Sequence, residues 1–290
     1  MSTVVVTPQK AATLSVYTGG SASRVQFVPT DAAGEVTDTN VQDAIESIDG
    51  RLVIAESSIA GLSGALHSEW IPSSGSSISS RGQAPTVAGT ASTPALATTN
   101  MASSIRRTLL TSAATANSAA ELYSGLATVW RGNASGLGGF TFKTRFRPET
   151  IPANFTLFVG LVASTSAIAA TTNPATGISN YVGVGAATGN TSIRSYVGGV
   201  APGTAVDLGA SYPSNNTAAV YLLTITAGKN ATSITLTLTR EDTGTTYTAT
   251  ISSSLPSNTS FLAPHIWCAN GGTASAAAIA VAMHRLESER

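Results

Sequence analysis

Cysteine and charge are both scarce in this chain of 290 residues. Cys268 is the only cysteine, so the chain has neither a disulfide framework nor a set of thiolates that could hold a metal. Only 10% of the residues are charged, and the 15 basic and 15 acidic side chains leave no net charge. Without net charge there is no overall field to attract nucleic acid. We therefore expect no nucleic-acid partner, no cofactor and no metal ion.

Long apolar runs and an export signal are also missing. The N-terminal residues MSTVVVTPQK lack a basic stretch followed by an apolar one. The longest apolar run near the other end, residues 276–283, is much shorter than the about 20 residues that cross a bilayer. These features indicate synthesis in a cytoplasm without signal-directed export. Charge is uneven, with eight acids and three bases in residues 1–70, but this is too weak an excess to imply nucleic acid.

The N-terminal part is predicted as two segments. Residues 1–38 mix short apolar runs with glycine-containing turns, which is typical of a small β-rich cap. Residues 39–67 carry apolar side chains at alternating spacings of four and three, the heptad pattern of a coiled coil between chains. The stripe consists of Val41, Ile45, Ile48, Leu52, Ala55, Ile59, Leu62 and Leu66. Thr39 and Gln42 have the spacing of a capping box, so the helix is expected to begin near Asn40.

This helix would be weak without partners. Gly50, Gly61 and Gly64 each cost about 1 kcal/mol relative to alanine, and short isolated helices are marginal in water. A stripe of two residues per heptad is also narrower than the face that a helix buries in a globular domain. The pattern favours self-association, with a single amphipathic helix packed on its own domain as the alternative. The heptads by themselves leave the number of strands open.

The rest of the chain is predicted as a linker followed by strands. Residues 68–83 are rich in serine, glycine and proline and predict a linker. Residues 84–290 contain many short apolar or alternating runs and no helical period beyond about residue 105. Residues 155–162 form an almost continuous apolar run, expected of a strand buried on both faces, and residues 234–240 and 245–251 predict a hairpin. The fold class is therefore mainly β, with a C-terminal jelly-roll β-sandwich.

One stretch of the N-terminal part resembles a known structural module. Residues 23–52 contain, in order, Phe27, Pro29, Asn40-Val41-Gln42, Ala44-Ile45, Ile48 and Asp49. This order resembles a module of bacteriophage tail fibres, in which an aromatic-rich strand and a glycine turn lead into a trimeric coiled coil. The resemblance implies a short trimeric coiled-coil helix, and hence a homotrimer. It also implies that residues 1–38 attach to a phage tail or baseplate protein.

A second resemblance covers most of residues 84–290. It rests on short matches in a fixed order, among them Arg106-Arg107, Gly138–Phe140, Arg145-Phe146, Tyr212-Pro213, Leu262-Ala263-Pro264, Trp267 and Asn270-Gly271-Gly272. The series is similar to a jelly-roll domain at the C-terminus of phage fibre proteins. The resemblance implies a trimeric receptor-binding head, whose partner on the host is a surface glycan or an outer-membrane protein.

The sequence gives little support for catalysis. Glycoside hydrolysis needs two carboxylates about 5–10 Å apart, and the acids between residues 150 and 286 are Asp207, Glu241 and Asp242. Two of these fall in the predicted hairpin turn, where acids are common, and Asp207 is isolated. No G-x-S-x-G motif is present. The three histidines are scattered and are interpreted as structural: His67, His265 and His284.

Binding remains as the predicted activity. Aromatic side chains offer a large rigid contact area to a sugar, and amides and hydroxyls add hydrogen bonds. The candidate receptor-binding residues lie beside turn-forming residues of the head: Tyr181, Arg194, Tyr196, Tyr212, Asn215 and Asn216. Core packing is the alternative role for each tyrosine, and Trp267 is assigned to the core.

These features predict a structural virion protein. It would be a phage tail fibre, made in the host bacterial cytoplasm, that recognises a cell-surface receptor by multivalent, non-catalytic binding. A polysaccharide is the preferred receptor. Two alternatives remain open at this point: a tailspike-like polysaccharide depolymerase, and a capsid fibre or decoration protein.

Overall fold

The computed structural model describes residues 4–6, 12–17, 24–29, 67–73, 78–203 and 205–289. The chain divides into two compact units, Met1–Ala60 and Gly61–Arg290. No helix in the described part is both long and apolar enough to cross a membrane.

The first unit contains a small antiparallel sheet. Its strands are β1 (Val4–Val6), β2 (Ala12–Tyr17) and β3 (Arg24–Pro29), and they pair in that order. All three lie within residues 1–38, where a β-rich cap is expected. The predicted coiled coil of residues 39–67, with its whole stripe from Val41 to Leu66, lies outside the described residues except for His67, which belongs to a strand and not to a helix.

The second unit contains two antiparallel sheets. The described strands of the larger one are β4 (His67–Pro72), β5 (Ile78–Arg81), β7 (Thr90–Ser92), β8 (Thr108–Thr111), β10 (Phe140–Thr150), β15 (Tyr221–Ala227), β16 (Ile234–Arg240), β17 (Thr245–Ile251) and β19 (Ala278–Ser288). Their order is β17-β16-β15-β10-β19-β4-β5. Strand β8 also pairs with β19, and β7 pairs with β8. We call this the nine-stranded sheet.

The other sheet has seven described strands. They are β6 (Thr86–Ala88), β9 (Ala119–Tyr123), β11 (Thr156–Val162), β12 (Tyr181–Ala186), β13 (Arg194–Gly198), β14 (Val206–Asp207) and β18 (Ala263–Ala269). Their order is β14-β13-β12-β11-β18-β9-β6. We call this the seven-stranded sheet. A four-residue helix, α1 (Met101–Ser104), begins at an Asn100 capping box completed by Ser103.

The two sheets pack face to face around one hydrophobic core. Strands β15 and β16 alternate between buried apolar side chains and an outer face that carries threonines and Leu222. This period of two is what a half-buried strand requires, because successive side chains point to opposite faces. The predicted hairpin of residues 234–240 and 245–251 is confirmed, since these are the bounds of β16 and β17. The mainly β sandwich is likewise confirmed.

Strand β11 is buried along its whole length, as predicted for residues 155–162. Leu157, Val159 and Leu161 belong to the core between the sheets, while Phe158 and Val162 belong to a second cluster on the outer face of the seven-stranded sheet. That outer face is therefore covered by something other than the opposing sheet.

The prediction that residues 68–83 form a linker is wrong. Strand β4 pairs with β19 inside the nine-stranded sheet, and β5 pairs with β4. Trp70 is 1% exposed, stacks on His284 with 3.9 Å between ring centroids, and donates its indole N–H to the Gln83 carbonyl at 2.7 Å. A fully buried tryptophan gives this segment enough apolar area to dock despite its serine-rich composition. The sandwich thus includes the strands that follow His67 and does not begin at residue 84.

Candidate functional site

The outer face of the seven-stranded sheet carries a layer of aromatic rings. Phe158, Tyr181, Tyr196 and Trp267 form this layer and are all at most 1% exposed. Glycines make room for the rings: a Cβ added to Gly198 would lie 2.4 Å from the Tyr181 ring. The layer is too large an apolar area to be left in water.

A long connection between β11 and β12 covers this layer. The 18 residues between Val162 and Tyr181, which we call the cover loop (residues 163–180), contain no strand or helix. Connections of this length are uncommon in compact domains and usually serve binding. Ile168 and Ile178 of the cover loop pack against the aromatic layer.

The cover loop is anchored by polar groups from two strands of the sheet. Glu121 of β9 accepts a hydrogen bond from the Ile168 N–H at 2.8 Å, and Trp267 of β18 donates to the Ile168 carbonyl at 3.1 Å. His265 of β18 binds the Ser164 carbonyl through Nε2 at 2.9 Å. The cover loop is thus bound to the sheet at Ser164 and Ile168, with three residues between these two positions.

Glu121 and His265 form a buried pair beneath the loop. They are 1% and 0% exposed, and His265 Nδ1 lies against Glu121 Oε1. A buried carboxylate without a partner would be strongly unfavourable. The two imidazole nitrogens contact Glu121 and the Ser164 carbonyl, so the pair links the loop to the sheet.

The tip of the cover loop borders an open cleft at one end of the sandwich. This first cleft has a volume of about 270 Å³ and is lined by Asn117, Thr156, Ala170, Thr171, Thr172, Asn173, Ala187, Thr188, Gly271 and Gly272. Thr156 and Thr188 share a hydrogen bond at 3.1 Å. Asn117 and Gly271 both have left-handed backbones, with φ of 58° and 52°, which places them in tight turns at the rim.

One buried amide holds two of the loops that form the first cleft. Asn270 is 0% exposed, and its Oδ1 accepts from the Ser118 N–H at 2.8 Å. Its Nδ2 donates to the carbonyls of Ala113, Thr115 and Ser275 at 2.7–3.1 Å. With every partner satisfied, this amide fixes residues 113–118 against residues 270–275. The rim of the cleft is therefore prearranged.

A second cleft lies within the cover loop. It has a volume of about 390 Å³ and is lined by Val162, Ala163, Ser164, Ala167, Ile168, Ala169, Thr172, Gly177, Ile178 and Ser179. Thr172 belongs to both clefts. No charged side chain lines either one, and their polar groups are hydroxyls, amides and backbone. Such groups donate and accept hydrogen bonds but supply no carboxylate for acid–base chemistry.

The predicted receptor-binding tyrosines are core residues, and the expectation that they face a ligand is wrong. Tyr181 and Tyr196 lie in the aromatic layer under the cover loop, and burial raises the pKa of both phenols. Tyr212 is 4% exposed and packs edge-on against Tyr247. Arg194 is half-buried on β13, where it binds Asp207 at 3.1 Å. The physical reason is that each ring packs against apolar neighbours, and the turn residues beside it in the sequence give no indication of this burial.

The other two candidate residues, Asn215 and Asn216, line neither cleft. Asn215 is exposed, and Asn216 is half-buried and accepts a hydrogen bond from the Ala218 N–H at 2.8 Å. Both follow Tyr212 in the connection between β14 and β15. Asp207 accepts a hydrogen bond from the Gly209 N–H at 2.8 Å, and its hydrogen bond from Ser192 lowers the pKa of the carboxyl.

Neither His265 nor His284 has a catalytic setting. His265 is satisfied by Glu121 and Ser164, whereas His284 is buried between Trp70 and Phe142 with no hydrogen-bond partner in the described structure. Burial also raises the pKa of the Cys268 thiol to about 12. Within the described residues, no three His, Cys, Asp or Glu side chains are grouped so that they could hold a metal ion.

Comparison with known proteins shows a fold but no family. No family matches the sequence, and no curated protein matches it. Peanut lectin with a 9-mer peptide is similar in structure, with a TM-score of 0.50 and 16% identity over 78% of this chain and 97% of the lectin. Lectin UEA-II complexed with galactose has a TM-score of 0.49 and 15% identity, over 78% of this chain and 99% of that one. A protein of unknown function from Shewanella oneidensis MR-1 has a TM-score of 0.48 and 16% identity, over 77% and 85%.

At these identities the likeness concerns the fold alone. The chain has the two-sheet β-sandwich architecture of peanut lectin.

Proposed function

We propose that this chain is a glycan-binding protein without catalytic activity, and that it is the receptor-binding protein of a bacteriophage tail fibre. The observation that carries the glycan-binding part is the anchored cover loop with an open, uncharged cleft on either side of Thr172. Neutral sugars present hydroxyls in fixed positions, and preformed clefts lined by hydroxyls and amides suit them. Similar sandwiches occur in lectins, one of them complexed with galactose, and this agrees with the proposal.

The fibre part of the proposal rests on residues 23–52 and on the heptad stripe. In it, residues 39–66 form a parallel three-stranded coiled coil, and residues 1–38 attach the homotrimer to a tail or baseplate protein of the virion. Three weak sites held at one tip bind a repetitive polysaccharide far more tightly than one site does. An outer-membrane protein as receptor, and attachment to the capsid instead of the tail, are the other outcomes.

The test is binding of the labelled full chain to an array of bacterial surface polysaccharides. We expect retention on at least one neutral polysaccharide. Thr188→Trp, which fills the first cleft, and Ala167→Trp, which fills the second, should each reduce retention at least tenfold if their cleft is used. Thr232→Trp is the matched control, because Thr232 is exposed in the connection between β15 and β16. All variants should keep the wild-type melting temperature.

Three results would contradict the proposal. One is the absence of retention on any polysaccharide, and another is unchanged retention by both cleft variants. The third is shortening of the bound polysaccharide, seen by size-exclusion chromatography, which would support the depolymerase alternative. Phe261→Ala tests another location. Phe261 is 47% exposed and stacks on Trp130, and it precedes β18, whereas Gly271 of the first cleft follows β18. Loss of retention in that variant alone would assign binding to that end.

A further inference from the structure

The nine-stranded sheet ends in a strand whose outer edge is unpaired in the described structure. Strand β17 is the last in the order, and its seven residues, TTYTATI, contain no charge and no proline. An unpaired edge of this kind is a template for pairing with another strand, so proteins usually shorten it or charge it.

Three other edge strands of the sandwich are protected in these ways. Strand β14 has two residues and includes Asp207, which is ion-paired with Arg194. Strand β6 has three residues, and β5 has four and ends at Arg81. The contrast singles out β17 as the edge that is long, uncharged and open.

The core is also incompletely closed beside β17. An open groove of about 320 Å³ lies between β17 and the strands β13 and β14 of the other sheet. Tyr247, Ala249 and Ile251 line it and are only half-buried, although they are on the core side of β17. Val206 on the other side of the groove is 48% exposed. Apolar side chains of a partner strand could cover this groove.

We propose that β17 pairs in antiparallel fashion with β17 of a second copy of this chain, about a two-fold axis through Thr248. In this register all seven residues are paired, Thr246 faces Thr250, and Thr248 faces itself. On the groove side Tyr247 faces Ala249, so a large side chain is opposite a small one. On the outer face the threonine pairs repeat those that β16 and β17 already make, Thr237 with Thr248 at 3.2 Å and Thr239 with Thr246 at 3.0 Å.

Neighbouring registers are less favourable. A shift of one residue would bring groove-side residues opposite outer-face residues. A two-fold axis at Tyr247 would bring two tyrosines face to face in the groove and leave two residues of each strand unpaired. The sequence of β17 therefore favours pairing with a second β17 in this register, in addition to leaving an edge unpaired.

This pairing does not rest on the proposed function. A two-fold axis combines with a three-fold axis in a closed assembly of six chains, so two trimers can be joined through their sandwiches. Without a trimer, the same contact gives a dimer. In both cases blocking β17 halves the mass, and that result can be separated from failure of the coiled coil.

The experiment measures the mass of the full chain by light scattering for the wild type, Thr248→Lys and Thr248→Glu. Each substitution brings two like charges together on the axis, and we expect the mass to fall to half. Thr243→Lys, in the exposed turn between β16 and β17, is the matched control and should keep the wild-type mass. Thermal unfolding followed by circular dichroism verifies that every variant is folded.

An equimolar mixture of the Thr248→Lys and Thr248→Glu variants provides the decisive arm. The mixture should regain the wild-type mass, because a lysine then faces a glutamate across the axis. A wild-type mass of one or three chains would overturn the pairing, and three chains would at the same time support the proposed fibre. Unchanged mass in both variants, or halved mass that mixing does not restore, would overturn it as well.

Discussion

The two sheets of the sandwich have opposite outer faces. That of the seven-stranded sheet carries Phe158, Tyr181 and Trp267 and is sealed by the cover loop. That of the nine-stranded sheet carries threonines on β15, β16 and β17, and these lie half-buried or exposed. The outer face of the seven-stranded sheet must therefore be covered, whereas the outer face of the nine-stranded sheet can contact water.

The difference shows where a long loop becomes necessary. A strand such as β11, apolar on both sides, loses its hydrophobic stabilisation unless both faces are covered. A loop that provides the cover brings backbone N–H and C=O groups over an apolar surface, and these groups need partners. Glu121, His265 and Trp267 supply the partners, so the covered face requires buried polar residues that the threonine face does without.

The largest effect is expected from breaking the anchor of the cover loop. Glu121→Ala removes the acceptor of the Ile168 N–H and leaves His265 buried with one partner fewer. Breaking a buried pair in this way costs about 3–5 kcal/mol of unfolding free energy. Chemical denaturation measures the loss, and hydrogen exchange should show reduced protection of the cover loop while β16 stays protected.

Glu241→Ala is the matched control on the threonine side of the sandwich. Glu241 binds Arg145 at 2.6 and 2.8 Å, but both side chains are partly exposed. Exposed pairs contribute about 0–1 kcal/mol. If the two variants lose equal stability, the cover loop is not anchored by Glu121.

The next effect concerns the histidine inside the sandwich. His284 has no polar partner between Trp70 and Phe142, and burial lowers its pKa from 6.5 to about 3. Between these two pH values the unfolded chain binds a proton that the folded chain does not. Stability is therefore complete above pH 6.5 and falls with decreasing pH by up to about 1.4 kcal/mol per unit.

His284→Phe should remove this part of the acid sensitivity while keeping the stack on Trp70. The free energy of unfolding of the variant minus that of the wild type should be about 3 kcal/mol larger at pH 4 than at pH 7. Denaturation at both pH values measures the difference, in which the contribution of the carboxylates cancels. If the stability of the two proteins falls in parallel as the pH decreases, His284 is either exposed to water or has a polar partner.

A smaller effect is expected from the packing of the aromatic layer. Gly198→Ala would place a Cβ 2.4 Å from the Tyr181 ring and displace it towards the cover loop. Overpacking of this kind costs about 1–3 kcal/mol. Gly125→Ala is the control, because nothing lies within 4 Å of the added Cβ. Equal melting temperatures for the two variants would show that the ring has room to move.

Much of the fold could be predicted because it depends on local pattern. Strands β16 and β17 alternate strictly around a turn with Gly244, whose φ is 74°, so their bounds follow from the sequence. Strand β4 is hard to predict because it is short and directly precedes a serine- and glycine-rich stretch. Its place in the sheet comes from the contact of Trp70 with His284, 214 positions further on.

The candidate site is less predictable from the sequence, because it depends on which face of its sheet each side chain occupies. Tyr181 and Tyr196 stand beside turn residues, as surface aromatics often do, yet the cover loop buries them. The length of residues 163–180 is visible in the sequence, and connections of this length often have a functional role. Its anchor is not visible, because Glu121 and His265 are separated by 144 positions and meet only through the pairing of β9 with β18.

The smallest expected effect tests the threonine face itself. Thr239 and Thr246 share a hydrogen bond at 3.0 Å across β16 and β17. A double-mutant cycle with Thr239→Val and Thr246→Val should give a coupling of about 0.2–1 kcal/mol, the usual contribution of a cross-strand pair in contact with water. A coupling above roughly 2 kcal/mol would mean that the pair is desolvated, as unpaired hydroxyls are costly only when buried. In that case the threonine face would also be covered, and the contrast between the two sheets would not hold.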